Sequence, residues 1–250
     1  MNRLLALLVM VGFSAAASAT VVTFDNGFEG WTGPASGIGG VGTTIETTGG
    51  NPGSNARIQF NDFGIPFSTN SNAAFIGDLR SRGIITLGID VRVENISFAG
   101  TAEERDLVVE LRSHALAQGG FPWTSVYVKL ASLNTGDDWT SYATTFDPTS
   151  PVLPDQWGGY GATDPVTFAS ILPPGVTFSD VMGSVDEVAF TTLVPGYFYD
   201  PSDFDIRFDN IRINGALPTS AAQPVPSLGI TTTMLLGLLL IGGLFVRRVR

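Results

Sequence analysis

The 250-residue chain contains no cysteine and a single histidine, His114. The first absence excludes thiol catalysis, cysteine-ligated zinc, iron–sulfur clusters and disulfide staples. Packing, with or without a metal ion, must hold the fold. The second excludes a multi-histidine metal centre within one chain. Long periodic helical segments and internal repeats are also missing. Basic residues are scarce between the two ends: residues 20–223 hold all 23 acidic residues and nine of the 13 basic ones, a formal charge of −14. Such a surface repels nucleic acid and anionic headgroups, so no nucleic-acid partner is expected. It leaves carboxylates free for a hard cation such as calcium.

The ends are different in kind. Residues 1–19 combine Arg3, an apolar stretch from Leu4 to Phe13 and the small-residue site Ala17-Ser18-Ala19. This is the pattern of a secretory signal peptide, with cleavage by signal peptidase expected between Ala19 and Thr20. An uncleaved anchor would need a longer apolar run. At the other end, a linker (215–224) rich in Ala, Pro, Ser and Thr precedes Val225-Pro226-Ser227-Leu228. An uncharged run follows over 230–246, and then Arg247, Arg248 and Arg250. As a helix that run spans about 25 Å, against about 30 Å for a hydrocarbon core. The terminal arginines favour the cytoplasmic side. The large middle region is therefore expected outside, tethered to the inner membrane by a single C-terminal transmembrane helix.

Signal peptide, exported domain, Pro-containing motif, short span and arginine cluster together resemble the PEP-CTERM class of bacterial sorting tails. Here Val225, Pro226, Ser227 and Leu228 stand where Pro-Glu-Pro would be. The tail is closer to the variants with an Ile/Val-Pro-Thr-Leu motif, without the Trp-Gly often found after it. The resemblance implies handling by an exosortase-like processing enzyme, then release or re-anchoring at the cell surface or in extracellular matrix. Permanent membrane anchoring is the alternative.

Residues 20–214 read as one all-β domain. Turn formers recur every few residues between short runs rich in Val, Ile, Phe and Tyr, the pattern of an antiparallel two-sheet sandwich. Strands are predicted over 21–24, 56–60, 84–93, 107–112, 125–130, 139–145, 187–193 and 204–213. Ile85, Leu87, Ile89, Val91 and Val93 share one face of their strand. The alternation from Phe204 to Ile213 breaks phase at Asp209-Asn210, which predicts a bulge. Short helical turns are expected at 74–80 and 168–172. Residues 148–174 read as a long loop, and Gly39 to Gly42 and Thr48 to Gly53 as turns.

The opening segment Phe24-Asp25-Asn26-Gly27-Phe28-Glu29-Gly30-Trp31 and the closing strand Phe208-Asp209-Asn210-Ile211 resemble laminin-B-type domains. More broadly they resemble the galactose-binding-like jelly rolls of carbohydrate-binding modules. That resemblance implies a jelly roll and an extracellular polysaccharide or matrix partner. Trp31 is assigned to the core. Pairing of first and last strands would bring Asp25 near Asp209; with Glu29 these are the candidate ligands of a structural calcium ion, solvated turn carboxylates being the alternative. Trp123, Trp157, Tyr160, Tyr197 and Tyr199 are the candidate ligand-binding aromatics, since rings stack on pyranose faces. Asp200, Asp203 and Asp205 follow Tyr197-Phe198-Tyr199 and could bind sugar hydroxyls beside them.

No catalytic set emerges. Asp186 and Glu187 are adjacent and would face opposite sides of a strand. No G-x-S-x-G accompanies His114, which is expected to end a strand at the surface. The expectation is an exported, non-enzymatic protein that binds extracellular polysaccharide. A glycan-active hydrolase or lyase on the same fold and a purely structural envelope protein are the alternatives.

Overall fold

The computed structural model describes residues 19–214. The sorting motif Val225 to Leu228, the span 230–246 and nearly all of the expected signal peptide lie outside the described residues. Among the described residues no helix is long and apolar enough to cross a membrane.

The strands in chain order are β1 (Thr20–Val22), β2 (Gly40–Gly50), β3 (Gly53–Asp62), β4 (Pro66–Thr69), β5 (Ile85–Phe98), β6 (Thr101–Ala102) and β7 (Arg105–Ser113). They continue with β8 (Thr124–Leu133), β9 (Thr140–Phe146), β10 (Trp157–Tyr160), β11 (Ala162–Thr163), β12 (Ser170–Ile171), β13 (Glu187–Thr191) and β14 (Ser202–Ile213). One sheet runs β2-β3-β14-β5-β6, with β1 also on β14 and β9 also on β5. The other runs β10-β8-β7-β13-β4, and β11 and β12 form a separate hairpin. Every pairing is antiparallel. The chain crosses between the sheets at β3–β4, β4–β5, β6–β7, β8–β9, β9–β10 and β13–β14, which fits a jelly roll.

Period-two alternation builds the core. Ile85, Leu87, Ile89, Val91 and Val93 of β5 meet Leu107, Val109 and Leu111 of β7 and Val126 and Val128 of β8 in one buried cluster. Trp31 is fully buried, stacked on Phe67 at 5.6 Å and edge-on to Phe75 at 5.2 Å. Each such side chain contributes about 1.5–3 kcal/mol through burial.

The bulge forms where the phase breaks. The β14–β5 register shifts between Asp209 and Arg212, and Asn210 has φ 46°. The partner on the other edge of β14 changes there too. Ser202 to Phe208 pair with β3, whereas Ile211 to Ile213 pair with β1. Asp209 therefore sits at the junction of three strands.

All eight predicted strands are present. Of the turn expected at Gly39 to Gly42, Gly39 is a turn residue, but Gly40 to Gly42 and most of Thr48 to Gly53 are instead strand, taken up by β2 and the start of β3 around Asn51-Pro52. β2 is a largely exposed edge strand of Gly and Thr, so it carries no apolar alternation. Residues 148–174 hold β10, β11 and β12 rather than a loop ending in a helical turn. Among the described residues the α-helix is α1 (Phe178–Met182), opened by a reciprocal capping box between Thr177 and Asp180. Among residues 74–82 the helical part is a single 3-10 turn, Arg80–Arg82.

Candidate functional site

The outward face of the five-stranded sheet carries a polar and aromatic arrangement built on the rows of its register. Cross-strand register places Ser68, Ala189, Glu110, Tyr127 and Gly158 in one transverse row. Glu187, Arg112, Ser125 and Tyr160 form the next. These residues face out because the alternate ones, Val109, Leu111, Val126, Val128 and Trp157, are committed to the core. Gly158 leaves room for its neighbour: a Cβ there would lie 2.3 Å from Tyr127 Cζ.

A hydrogen-bonded network orders this face. Glu110 Oε2 accepts from Arg112 Nε at 2.8 Å and Nη2 at 2.6 Å. Glu110 Oε1 accepts from Trp123 Nε1 at 2.9 Å and Ser125 Oγ at 2.5 Å. Arg112 Nη1 donates to Glu187 Oε1 at 3.0 Å. The guanidinium lies 4.3 Å from the Trp123 ring centroid, a cation–π contact. Burial pulls the Arg112 guanidinium down, but Glu110 and Glu187 together outweigh it and raise its pKa. Burial also raises the Tyr127 and Tyr160 phenols, with Glu110 adding to both, which keeps them neutral and able to donate.

Trp123, Tyr160 and Tyr197 line one cleft of about 200 Å³ with Glu110, Arg112 and the 193–196 loop. The Trp123 and Tyr160 rings are 5.9 Å apart, and Phe121 is edge-on to Tyr160 at 5.2 Å. At the rim His114 Nδ1 is 2.7 Å from Asp186 Oδ1, and its backbone N donates to Asp186 Oδ2. As expected, His114 follows directly on the end of its strand and is exposed.

Two expected ligand aromatics stand elsewhere. Trp157 is 9% exposed and packs edge-on against Phe146 and Phe178, because β10 alternation turns it inward and Tyr160 outward. Tyr199 lies beside Arg105, 5.2 Å from its guanidinium carbon. Asp203 and Asp205 do not join Tyr197 and Tyr199 either. They project from β14 on the other sheet, where Asp205 holds Arg57 and Asp203 accepts from Asn61. The residues that sequence reasoning passed over are Glu110 and Arg112. Their signal was a charge at alternate positions of an otherwise apolar strand, Val108-Val109-Glu110-Leu111-Arg112.

Of the three candidate calcium ligands, two come together. Asp25 Oδ1 accepts from Ser54 N and Asp209 Oδ2 from Asn51 N, so both carboxylates grip the β2–β3 turn. Asp25 adds to the repulsion that raises Asp209. Glu29 is held apart, with its carbonyl accepting from Asn72. Among the described residues no group of three or more His, Asp or Glu side chains is arranged to hold a metal.

No family model matches the chain, and no curated protein does. Solved structures do show a likeness. A family 11 carbohydrate-binding module from Clostridium thermocellum, in complex with a β-1,3-1,4-mixed-linked tetrasaccharide, is 15% identical, with a TM-score of 0.44 over 81% of this chain and 99% of that one. A xylan-binding domain of family 22 is 11% identical, with a TM-score of 0.42 over 82% and 99%. The CBM22-1–GH10 modules of xylanase 10B from Clostridium thermocellum, complexed with xylohexaose, are 14% identical at a TM-score of 0.42; this chain covers only 28% of that protein's length. Likeness at this level carries no weight for ligand or activity, and the fold rests on the strand register itself.

Proposed function

We propose that the chain is an exported, non-enzymatic protein that binds an extracellular polysaccharide along the outer face of the five-stranded sheet. The observation that carries this reading is the cleft in which Trp123, Tyr160 and Tyr197 gather around an ordered polar floor. Aromatic faces stack on the apolar faces of sugar rings, while fixed polar groups take up hydroxyls. Catalysis by paired carboxylates fits the cleft poorly. Glu110 already accepts four hydrogen bonds, and Glu187 holds Arg112. Export rests on the sequence pattern of the two ends, which also supports a signal peptidase and an exosortase-like enzyme as processing partners. A structural calcium ion would engage Asp25 and Asp209, with backbone carbonyls and water completing its oxygen shell.

Affinity electrophoresis against soluble polysaccharides, paired with an assay for released reducing ends, tests the binding reading. Retardation without release is expected; release of reducing ends would replace it with the hydrolase or lyase alternative. The intact mass of the protein recovered from outside the cell tests the processing. Loss of residues 1–19 and truncation near Val225 to Leu228 are expected, and a full-length mass would refute processing.

A further inference from the structure

Glu110 is 2% exposed at the floor of a cleft whose walls are open. Its four hydrogen bonds fill about all the lone-pair sites a carboxylate has. One oxygen fixes the edge of Trp123 and the other fixes Arg112. Arg112 in turn covers one face of the same indole. Trp123 is thus held at its edge by one member of the pair and across a face by the other, with the His114 and Tyr160 rings 5.7 and 5.9 Å from its own. Arg112 is also flanked by a second carboxylate, Glu187. One positive charge lies between two negative ones, with Asp186 close by on His114.

On the reading of this face as a polysaccharide site, we infer that Glu110 is the positioning residue of the Trp123 platform. The Glu110–Arg112–Glu187 clamp also makes the cleft discriminate against carboxylated glycans. The guanidinium would otherwise be a ready receptor for a uronate carboxylate. Here three of its five N–H donors face protein carboxylates, and the clamp as a whole carries net negative charge. A uronate meets like charge where a neutral sugar meets hydroxyl partners and a ring face. The selectivity lies in the two flanking glutamates, since neutralising one removes the net negative charge that a uronate meets and leaves the arginine balanced by a single carboxylate.

The test uses the full-length protein in affinity gels containing a mixed-linked β-glucan, a xylan, a galactan or polygalacturonate. The wild type is expected to be retarded by at least one uncharged glycan and more weakly by polygalacturonate. Glu110→Gln is expected to lower affinity for that uncharged glycan at least tenfold. It should also move the Trp123 indole N–H resonance, identified by its loss in Trp123→Phe. Glu187→Gln is expected to raise the ratio of polygalacturonate to uncharged-glycan affinity at least tenfold. An unmoved indole resonance or an unaltered affinity in Glu110→Gln overturns the positioning role. An unmoved ratio in Glu187→Gln overturns the discrimination; should Glu110→Gln not fold, Trp123→Phe, which removes the N–H that Glu110 holds, is read in its place, and an unaltered affinity for the uncharged glycan overturns the positioning role. If the wild type binds uncharged glycan but prefers polygalacturonate, the discrimination falls while the binding reading stands. If none of the four glycans retards the wild type, both fall.

Discussion

Asp90 and Arg212 are ion-paired at 2.8 Å on the outer face of the seven-stranded sheet, with their side chains 1% and 3% exposed. Alternation alone makes both solvent-facing. They are buried because the bulge in β14 folds the Asn51 turn over them: Asn51, Asn210 and Ser141 all donate to Asp90. Arg212 lies across Gly88, where a Cβ would come 3.2 Å from its Nε.

Breaking this pair from one side is expected to be costly. Asp90→Ala leaves a guanidinium buried without its counter-charge, a change that costs about 3–5 kcal/mol. Replacing both partners by apolar residues, as in Asp90→Leu with Arg212→Met, is expected to cost less than the single change. Urea unfolding midpoints check this. A single variant as stable as the wild type would mean that the pair does not hold the bulge.

The sequence alternation showed which faces of β5, β7, β8 and β14 are inside, because Ile, Val and Leu at every second position admit no other register. Where that signal is lacking, strands went unread. β2 is Gly- and Thr-rich, β4 is four residues long, and β10 is Trp-Gly-Gly-Tyr. The site was half legible for the same reason. Aromatic residues announce themselves, so the sequence singles out Trp123, Tyr160 and Tyr197, which line the candidate cleft. Whether an aromatic turns inward, as Trp157 does, depends on a strand that only pairing with β8 defines. Glu110 and Arg112 needed the knowledge that β7 is central, since only there does an outward charge become a buried clamp.

The two tryptophans separate binding from stability. Trp157→Ala removes a ring packed against Phe146 and Phe178 and is expected to cost about 3–5 kcal/mol. The molecules that remain folded should keep their glycan affinity. Trp123→Ala is expected to abolish glycan retardation in a protein that stays folded, with a smaller loss of stability. Thermal unfolding and affinity gels on the same preparations distinguish the two. The opposite pattern would move the binding surface to the other tryptophan.

Glycines in the β2 region divide sharply. A Cβ on Gly50 would lie 2.1 Å from the Ser54 carbonyl oxygen, a backbone atom that cannot swing away. Gly50→Ala is therefore expected to displace the hairpin that covers Asp90 and Asp209, at about 1–3 kcal/mol. A Cβ on Gly37 meets nothing within 4 Å, and its φ is not positive. Gly37→Ala should be neutral or stabilising by about 0.4–1 kcal/mol. Denaturation of the two variants side by side checks this; equal stabilities would show that the hairpin absorbs the clash.

Asp209 links stability to pH in the direction opposite to most carboxylates. Burial is the main cause of its raised pKa, which reaches about 6. Backbone N–H groups of Asn51 and Asn210 pull down, and the negative charges of Asp90 and Asp25 push up. An aspartate in the unfolded chain titrates near ~3.9. The folded state therefore holds this proton more tightly than the unfolded state does. The stabilisation is fully present below ~3.9, falls as pH rises, and is lost above about 6. In chelator, Asp209→Asn is expected to remove this downward contribution, so that its stability relative to wild type improves between about pH 4 and about pH 7. Urea midpoints across that range measure it, and parallel curves would show that Asp209 titrates as it does unfolded. Calcium at this junction would reverse the sign, because it favours the ionised carboxylate. Millimolar calcium is then expected to raise the wild-type midpoint more at about pH 7 than at about pH 5, and to leave Asp209→Asn unmoved. No calcium response in the wild type would leave Asp25 and Asp209 as carboxylates that serve only the turn they hold.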